Sequence, residues 1–264
     1  YFFATQGVEA TYKGTFIKAI GKWHLDINGR YTTPAFSTNF FGLGNESINN
    51  QKDLGMDYNR VRQQSYEVGP SVYKIFRNTG RLDFFANYKF IKVEENHDRV
   101  VFESPDVNPQ VFRGQNFTEV GANYLYRNYD NESLPTLGMT FFAHAKWVTN
   151  NERLENNFVS TEANLGFTHK LSANGKLTIA SMVKGKAIFG NVYEFYQAIT
   201  LGGDQDLRGY RFGRFSGDKS FLQTTDLRLD MVKFKAGIPM RLGIFGGFDY
   251  GRVWLNNEGS DKWH

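Results

Sequence analysis

One arginine and two aspartates have the residue types and spacing of an ion-pair cluster. Arg208 lies in the glycine-rich segment LGGDQDLRGY, residues 201–210, and Asp226 and Asp249 lie in the two long alternating segments that follow it. A guanidinium group can donate to two carboxylates at once through charge-assisted hydrogen bonds. If both aspartates project to the same side of a sheet, the three groups can hold the segment in one shape.

Catalytic and cofactor chemistry finds little support in the sequence. The segment 201–210 has no following helix N-terminus and no lysine with a serine or threonine, which a phosphate-binding glycine loop needs. Metal sites need clustered ligands, whereas the 5 histidines are scattered. Glu119 and Glu162 could pair for acid–base chemistry, but a charged interior also brings carboxylates together by chance. We therefore expect no catalytic residue, no cofactor and no metal site.

Composition excludes several classes of protein. The chain of 264 residues has no cysteine, which excludes disulfides and thiolate zinc sites. The net charge of +4 comes without a run of lysines and arginines, so we expect no nucleic-acid partner. No run of about 18 apolar residues occurs, which excludes a transmembrane helix. The mean hydropathy of -0.48 is still compatible with a membrane β-barrel, in which lipid-facing and lumen-facing residues alternate.

The elements that must position the cluster are strands, because apolar and polar residues alternate along most of the chain. The chain also has 25 phenylalanines, 14 tyrosines and 27 glycines but only 6 prolines, which is typical of many strands and tight turns. This alternation over long segments predicts sheets with two unlike faces. About ten strands are predicted, over residues 8–16, 23–32, 56–76, 81–92, 118–129, 136–147, 159–170, 176–189, 221–234 and 241–254.

The connections between these segments alternate between short and long. The long ones are predicted over residues 34–55, 93–116, 150–157 and the region around segment 201–210. Strands of about ten residues, with short turns on one side and long loops on the other, are typical of an outer-membrane barrel. We therefore predict an all-β fold, a transmembrane antiparallel β-barrel. A soluble all-β protein with one wet face is the alternative.

The last two predicted strands each place an aspartate on the inner face. If Leu227 and Leu229 face lipid, Asp226 turns inward, and if Ile244 and Phe248 face lipid, Asp249 turns inward as well. Both carboxylates then lie where a loop folded into the barrel would meet them.

The segments LGG, LRGY and GFDYG resemble the BamA-type outer-membrane assembly superfamily, whose barrel domain is also called the bacterial surface antigen domain. The resemblance is specific over residues 196–254. Over residues 1–195 it depends on the rhythm of strands and loops and on the segments NFFGLGNES and MDYNRVR. In that family, a loop with an Arg-Gly-aromatic tip folds back into the barrel, and its arginine pairs with acidic groups on the two following strands.

The resemblance implies an inward-folded loop that its arginine locks. Gly209 is expected to let the chain turn sharply, and the glycines on either side of Asp249 are expected to leave room for the loop. Asp226 stands where the family usually has glutamate, which shortens its reach to Arg208 by one methylene group. The predicted structural lock comprises Arg208, Gly209, Tyr210, Asp226, Gly247, Asp249 and Gly251.

The number of predicted strands is smaller than the resemblance implies. Family barrels have 16 strands, eleven before this loop and five after it, whereas about eight precede the loop here and about two follow it. We therefore expect residues 1–264 to be one partial outer-membrane β-barrel domain, with about three strands missing at each end and the periplasmic amino-terminal modules absent. An open sheet would otherwise expose two edges to lipid.

The resemblance implies an integral protein of the bacterial outer membrane that inserts and folds other β-barrel proteins, without chemistry. Its expected partners are outer-membrane lipid, client β-barrel proteins or a secreted polypeptide, and periplasmic accessory proteins. Two alternatives stay open. One is a polypeptide-secretion translocator with the loop as its plug, and the other is a membrane anchor for an amino-terminal phosphoesterase or lipase domain.

Overall fold

The strands of this computed structural model form one large antiparallel sheet. The structure describes residues 7–34, 37–190, 192–204, 206–256 and 258–264. Residues 35–36, which belong to the first predicted long loop, therefore lie outside the described part of the chain. Four short helical segments accompany the strands: α1 (Gln51–Leu54), α2 (Val100–Glu103) and the 3-10 turns Pro109–Phe112 and Phe195–Gln197.

Thirteen strands are assigned, in chain order. They are β1 (Glu9–Ile20), β2 (Trp23–Thr32), β3 (Ser37–Asn39), β4 (Arg60–Phe76), β5 (Gly80–Val93), β6 (Gln115–Tyr129), β7 (Gly138–Asn150), β8 (Arg153–Lys170), β9 (Leu177–Phe189), β10 (Ile199–Leu201), β11 (Phe215–Gly217), β12 (Lys219–Ala236) and β13 (Ile238–Trp254).

The ten long strands follow one another in the sheet in the order β1-β2-β4-β5-β6-β7-β8-β9-β12-β13, and β3 pairs with β4. All ten coincide with predicted strands, so the all-β prediction is confirmed. Eight of them precede the segment 201–210 and two follow it, and β1 and β13 form the two edges of the sheet. The short strands β10 and β11 pair with each other as a separate hairpin.

One predicted loop is wrong. Residues 150–157 were expected to form a long connection, but β7 and β8 are joined through the two residues Asn151 and Glu152, and their pairing continues to Thr149 opposite Asn157. Polar side chains such as Asn156 and Asn157 interrupt the apolar alternation without interrupting the backbone ladder. The strands therefore extend beyond the segment that the hydropathy pattern marks.

Apolar side chains are distributed between the outer face of the sheet and the long-loop end. On the outer face large side chains remain exposed, including Leu227, Ile244 and Phe248. The buried clusters lie instead around the long connections, where Phe40, Val61, Val93, Val101, Val107, Val111 and Phe195 form one group. This loop-end core provides a packed support for the segment that carries Arg208.

None of the helices within the described residues is long and apolar enough to cross a membrane.

Candidate functional site

Arg208 and Asp249 are joined by three hydrogen bonds. The guanidinium Nε donates to Oδ2 of Asp249 at 2.7 Å and Nη2 donates to Oδ1 at 2.5 Å, so both carboxylate oxygens are used. The backbone N–H of Arg208 also donates to Oδ2, at 3.0 Å. The bidentate pair fixes the orientation of the guanidinium plane, and the backbone contact fixes the main chain of the loop at the same position.

Asp226 completes the cluster from the neighbouring strand. Nη1 of Arg208 donates to Oδ1 of Asp226 at 2.8 Å, while Arg228 donates to Oδ2 of the same carboxylate at 3.2 Å. The shorter aspartate side chain thus reaches Arg208. We call Arg208, Asp226 and Asp249 the Arg208 cluster; it joins the loop to β12 and β13.

Glycine 247 supplies the space in which the cluster forms. In the β12–β13 register Asp226 pairs with Gly247, and Thr224 pairs with Asp249. A Cβ atom at position 247 would lie 2.5 Å from Nη2 of Arg208 and 2.5 Å from Oδ1 of Asp226. Any larger side chain would therefore displace the guanidinium group or the carboxylate.

Glycine 251 has a similar role one turn of alternation further along β13. A Cβ atom there would lie 2.7 Å from the carbonyl oxygen of Phe221 and 3.1 Å from Cδ2 of Leu201. Leu201 belongs to the loop, so this glycine lets the base of the loop approach the sheet. The contact forms part of a small buried group of Leu201, Leu207, Phe215, Leu222 and Val253.

The conformational freedom of the loop lies in Gly202 and Gly203. Their φ angles are 117° and 111°, which side chains rarely adopt, and a Cβ at position 202 would collide with the carbonyl oxygen of Arg211. Gly209 lies in the turn, but it is outside the positive-φ glycines and a Cβ there would meet nothing within 4 Å. The sharp turn at the tip therefore does not depend on a glycine at position 209.

Tyr210 lies at the surface of the same arrangement. Its ring contacts Phe215 edge-on at 5.1 Å, and its hydroxyl lies 3.5 Å from Nδ1 of His264. Its carbonyl oxygen accepts a hydrogen bond from the backbone N–H of Gly203 at 3.1 Å, which closes the loop on itself. The aromatic ring thus packs at the rim of the loop, whereas the arginine reaches the wall.

A third attachment of the loop was missed by sequence reasoning. Asp206, two residues before Arg208, accepts from Nζ of Lys184 at 2.6 Å, and Lys186 lies 4.0 Å away. The side chains of Asp206 and Lys184 are only 15% and 14% exposed. Both lysines lie on β9, so the loop is attached to three consecutive strands. The inward position of lysines in the alternation of β9 was the available signal.

The first long connection also holds the loop from the other side. The backbone N–H of Gly44 donates to the carbonyl oxygen of Ser216 at 2.7 Å, and Arg214 donates to the hydroxyl of Ser47 at 2.9 Å. Asn45 is fully buried between these contacts. All three partners lie in the segment NFFGLGNES, residues 39–47, whose glycines and small polar residues suit close backbone packing.

The electrostatic setting keeps Arg208 charged. The hydrogen bonds to Asp249, and then those to Asp226, raise the pKa of the Arg208 guanidinium above its ordinary value, although desolvation acts in the opposite direction. The Arg208 side chain remains 32% exposed, and Asp249 and Asp226 are 11% and 18% exposed. The cluster is thus partly shielded from water, which makes its ion pairs stronger than those of a free surface.

The carboxylate and histidine candidates for chemistry are separated in the structure. Glu119 pairs with Lys146 at 3.0 Å, and His144 lies 2.6 Å from Oδ1 of Asn123. Across the described ranges, no group of three or more potential metal-binding side chains comes together. The described residues thus offer an ion-pair cluster that fixes a loop.

Comparison with known proteins agrees with this geometry. Residues 7–264 match the family model of the Omp85 superfamily domain. The chain is similar in fold to BamA from Haemophilus ducreyi lacking POTRA domains 1-3, with a TM-score of 0.67 at 14% identity, over 95% of this chain and 50% of that one. It is also similar to CdiB from Escherichia coli, with a TM-score of 0.56 at 12% identity, over 97% of this chain and 43% of that one. No curated protein matches the sequence.

The chain spans about half of the BamA chain and less than half of the CdiB chain. The two likenesses show the fold, and the family model covers almost every residue. On this evidence, the chain belongs to the Omp85 superfamily.

Proposed function

We propose that the protein is an integral β-barrel of the bacterial outer membrane that inserts and folds other β-barrel proteins. The observation that carries the proposal is the attachment of the Arg208 loop to the inner face of three consecutive strands, through Lys184, Asp226 and Asp249. Together with membership of the superfamily, it favours a barrel wall that stays intact in this region while another part of the wall admits a client strand.

The Arg208 cluster acts in this proposal as a structural lock. A long glycine-containing loop loses considerable conformational entropy when it holds one shape, and the charge-assisted hydrogen bonds of Arg208 offset that loss. Removing one partner of a shielded, hydrogen-bonded charge pair costs about 2–5 kcal/mol in general. Since the Arg208 side chain is 32% exposed, we expect an effect near the lower end of this range.

The proposal is tested by the folding of a client into liposomes. The protein is reconstituted, and the folding of a urea-denatured outer-membrane β-barrel is followed by its heat-modifiable migration on gels. Liposomes that contain the protein should fold the client faster than empty liposomes of the same lipid. An inserted, heat-modifiable protein that gives no acceleration would contradict the proposal.

A polypeptide-secretion pore is the second candidate, and the inner face of the sheet favours it. This face lines a cavity of about 680 Å³ whose charged side chains have both signs, among them Lys13, Arg30, Glu67, Lys89 and Glu119. A lining of this kind suits an extended polypeptide without a preferred net charge. Transfer of a soluble polypeptide into the liposome lumen, measured by protection from added protease, would favour secretion over assembly.

A further inference from the structure

An arginine lies on the outer face of the sheet, where the proposed barrel would meet lipid. Asp249 and Gly251 of β13 point to the inner face, so the alternation of the strand turns Arg252 to the outer face beside Tyr250. Position 252 is near the end of β13 that leads into the long connections. A charged side chain on this face is unusual because it must be desolvated against lipid.

The chain after β13 returns and covers this arginine. His264 and Gly251 exchange both of their backbone hydrogen bonds, each at 3.0 Å. Antiparallel pairing from that point places Trp263 opposite Arg252, on the outer face. The indole of Trp263 stacks on the ring of Tyr250 at 4.4 Å and meets Trp254 edge-on at 5.9 Å.

The guanidinium group of Arg252 is framed by aromatic rings but is incompletely paired. It lies 4.8 Å from the ring centre of Trp254 and 5.4 Å from that of Trp263. Nη2 donates to the carbonyl oxygen of Ser260, whereas the buried Nε has no hydrogen-bond partner. Arg252 as a whole is only 6% exposed. Among the described residues, no carboxylate oxygen lies within 4.0 Å of it.

A second cation lies beside this group on the same face. Lys219 of β12 pairs with Trp254 across the sheet, so the two side chains are neighbours. Lys219 is exposed and can move toward a ligand that approaches from the membrane. One planar fork and one mobile point charge, set among tryptophans at a membrane boundary, fit the phosphate of a lipid headgroup.

We propose that Arg252, Lys219, Trp254 and Trp263 form a binding site for the phosphate group of a membrane lipid at the long-loop end of the barrel. This inference rests on the proposed membrane location. The phosphate oxygens accept from Arg252 and Lys219, and the two indoles lie at the depth of the lipid headgroup. The lipid supplies the negative charge that the described part of the chain does not place beside Arg252.

The test measures lipid binding by the protein in phosphatidylcholine nanodiscs. The probe is a labelled lipid A, a phosphorylated glycolipid, and its dephosphorylated form is the matched ligand. We expect the phosphorylated form to bind about tenfold more tightly, which corresponds to about 1.4 kcal/mol. R252Q should abolish this preference and K219Q should reduce it. R241Q, on the inner face of the same strand, should leave it unchanged.

Three results would overturn the site: equal binding of both lipid forms by the wild-type protein, a preserved preference in R252Q, or displacement of the lipid by an equal concentration of inorganic phosphate. Heat-modifiability in the same nanodiscs separates these results from a failure of the proposed function. A protein that does not insert contradicts the membrane proposal, whereas an inserted protein without a phosphate preference contradicts the lipid site alone.

Discussion

Gly247 lies directly opposite Asp226 in the β12–β13 register, and the guanidinium group of Arg208 occupies the space beside it. The absence of a side chain at this position is therefore a geometric requirement of the ion-pair cluster. The adjacent Gly246 pairs with Leu227, and a Cβ atom there would meet nothing within 4 Å. The two glycines form a natural pair of test and control positions.

G247A should release the loop, while G246A should not. The added methyl group at position 247 would lie 2.5 Å from both Nη2 of Arg208 and Oδ1 of Asp226, so at least one of the two must move. We expect faster protease cleavage of the segment 199–217 in G247A. G246A should be cleaved at the wild-type rate, and equal cleavage of both variants would contradict the steric role of Gly247.

The two aspartates should contribute unequally to stability. Asp249 accepts three hydrogen bonds from Arg208 and Asp226 accepts one, so D249N should lower the free energy of unfolding by about 2–5 kcal/mol and D226N by about 1 kcal/mol. Urea unfolding in lipid, followed by tryptophan fluorescence, measures both values. An effect of D226N as large as that of D249N would contradict the assigned geometry.

Asp206 should act as an independent anchor of the loop. D206N removes the charge that Lys184 contacts at 2.6 Å in a site where both side chains are largely buried, and about 1.5–3 kcal/mol of loop stability should be lost. Amide hydrogen exchange of residues 206–217 reports this loss. D204N is the matched control because Asp204 is exposed in the same loop. Unchanged exchange in D206N would remove Asp206 from the set of anchors.

Glu194 should make the outer loops sensitive to pH. Its carboxylate is 7% exposed and accepts from Gln115 at 2.7 Å and from Asn108 at 3.2 Å. Burial raises the pKa of Glu194 above its ordinary value of 4.5, although these hydrogen bonds oppose the shift. The folded state therefore keeps this proton to a higher pH than the unfolded chain does, so local stability is greatest below pH 4.5 and falls as the pH rises through the raised pKa.

E194Q should flatten this dependence, because the glutamine stays neutral and retains an acceptor oxygen. Hydrogen exchange of residues 192–201, measured from about pH 4 to about pH 7, compares the two proteins. The same decrease in protection in both proteins would assign the pH dependence to another group.

The strand architecture could be predicted because alternation is a local property of the sequence. Each apolar residue of β12, such as Leu227 or Leu229, follows the side-chain period of two and so fixes the face of its neighbours. The end of a strand above the apolar band has no such signal. The backbone ladder between Thr149 and Asn157 therefore escaped prediction, since its residues are polar.

The contacts of the site divide in the same way. The inward positions of Asp226 and Asp249 follow from alternation, and a resemblance of motifs joins them to Arg208. The contacts of Asp206 with Lys184, and of Gly44 with Ser216, depend on how two connections fold over the sheet end. No period in the sequence encodes such packing. The glycine requirement likewise lies at Gly202 and Gly203, where the path of the loop creates close backbone approaches.

The link between the locked loop and client folding is tested by one comparison. Wild type, G246A and G247A are reconstituted at equal density, and the rate at which a urea-denatured β-barrel client folds into the liposomes is measured. We expect wild type and G246A to accelerate folding equally, and G247A to lose most of the acceleration while remaining inserted. Full acceleration by G247A, with its loop shown to be protease-sensitive, would contradict a function for the lock.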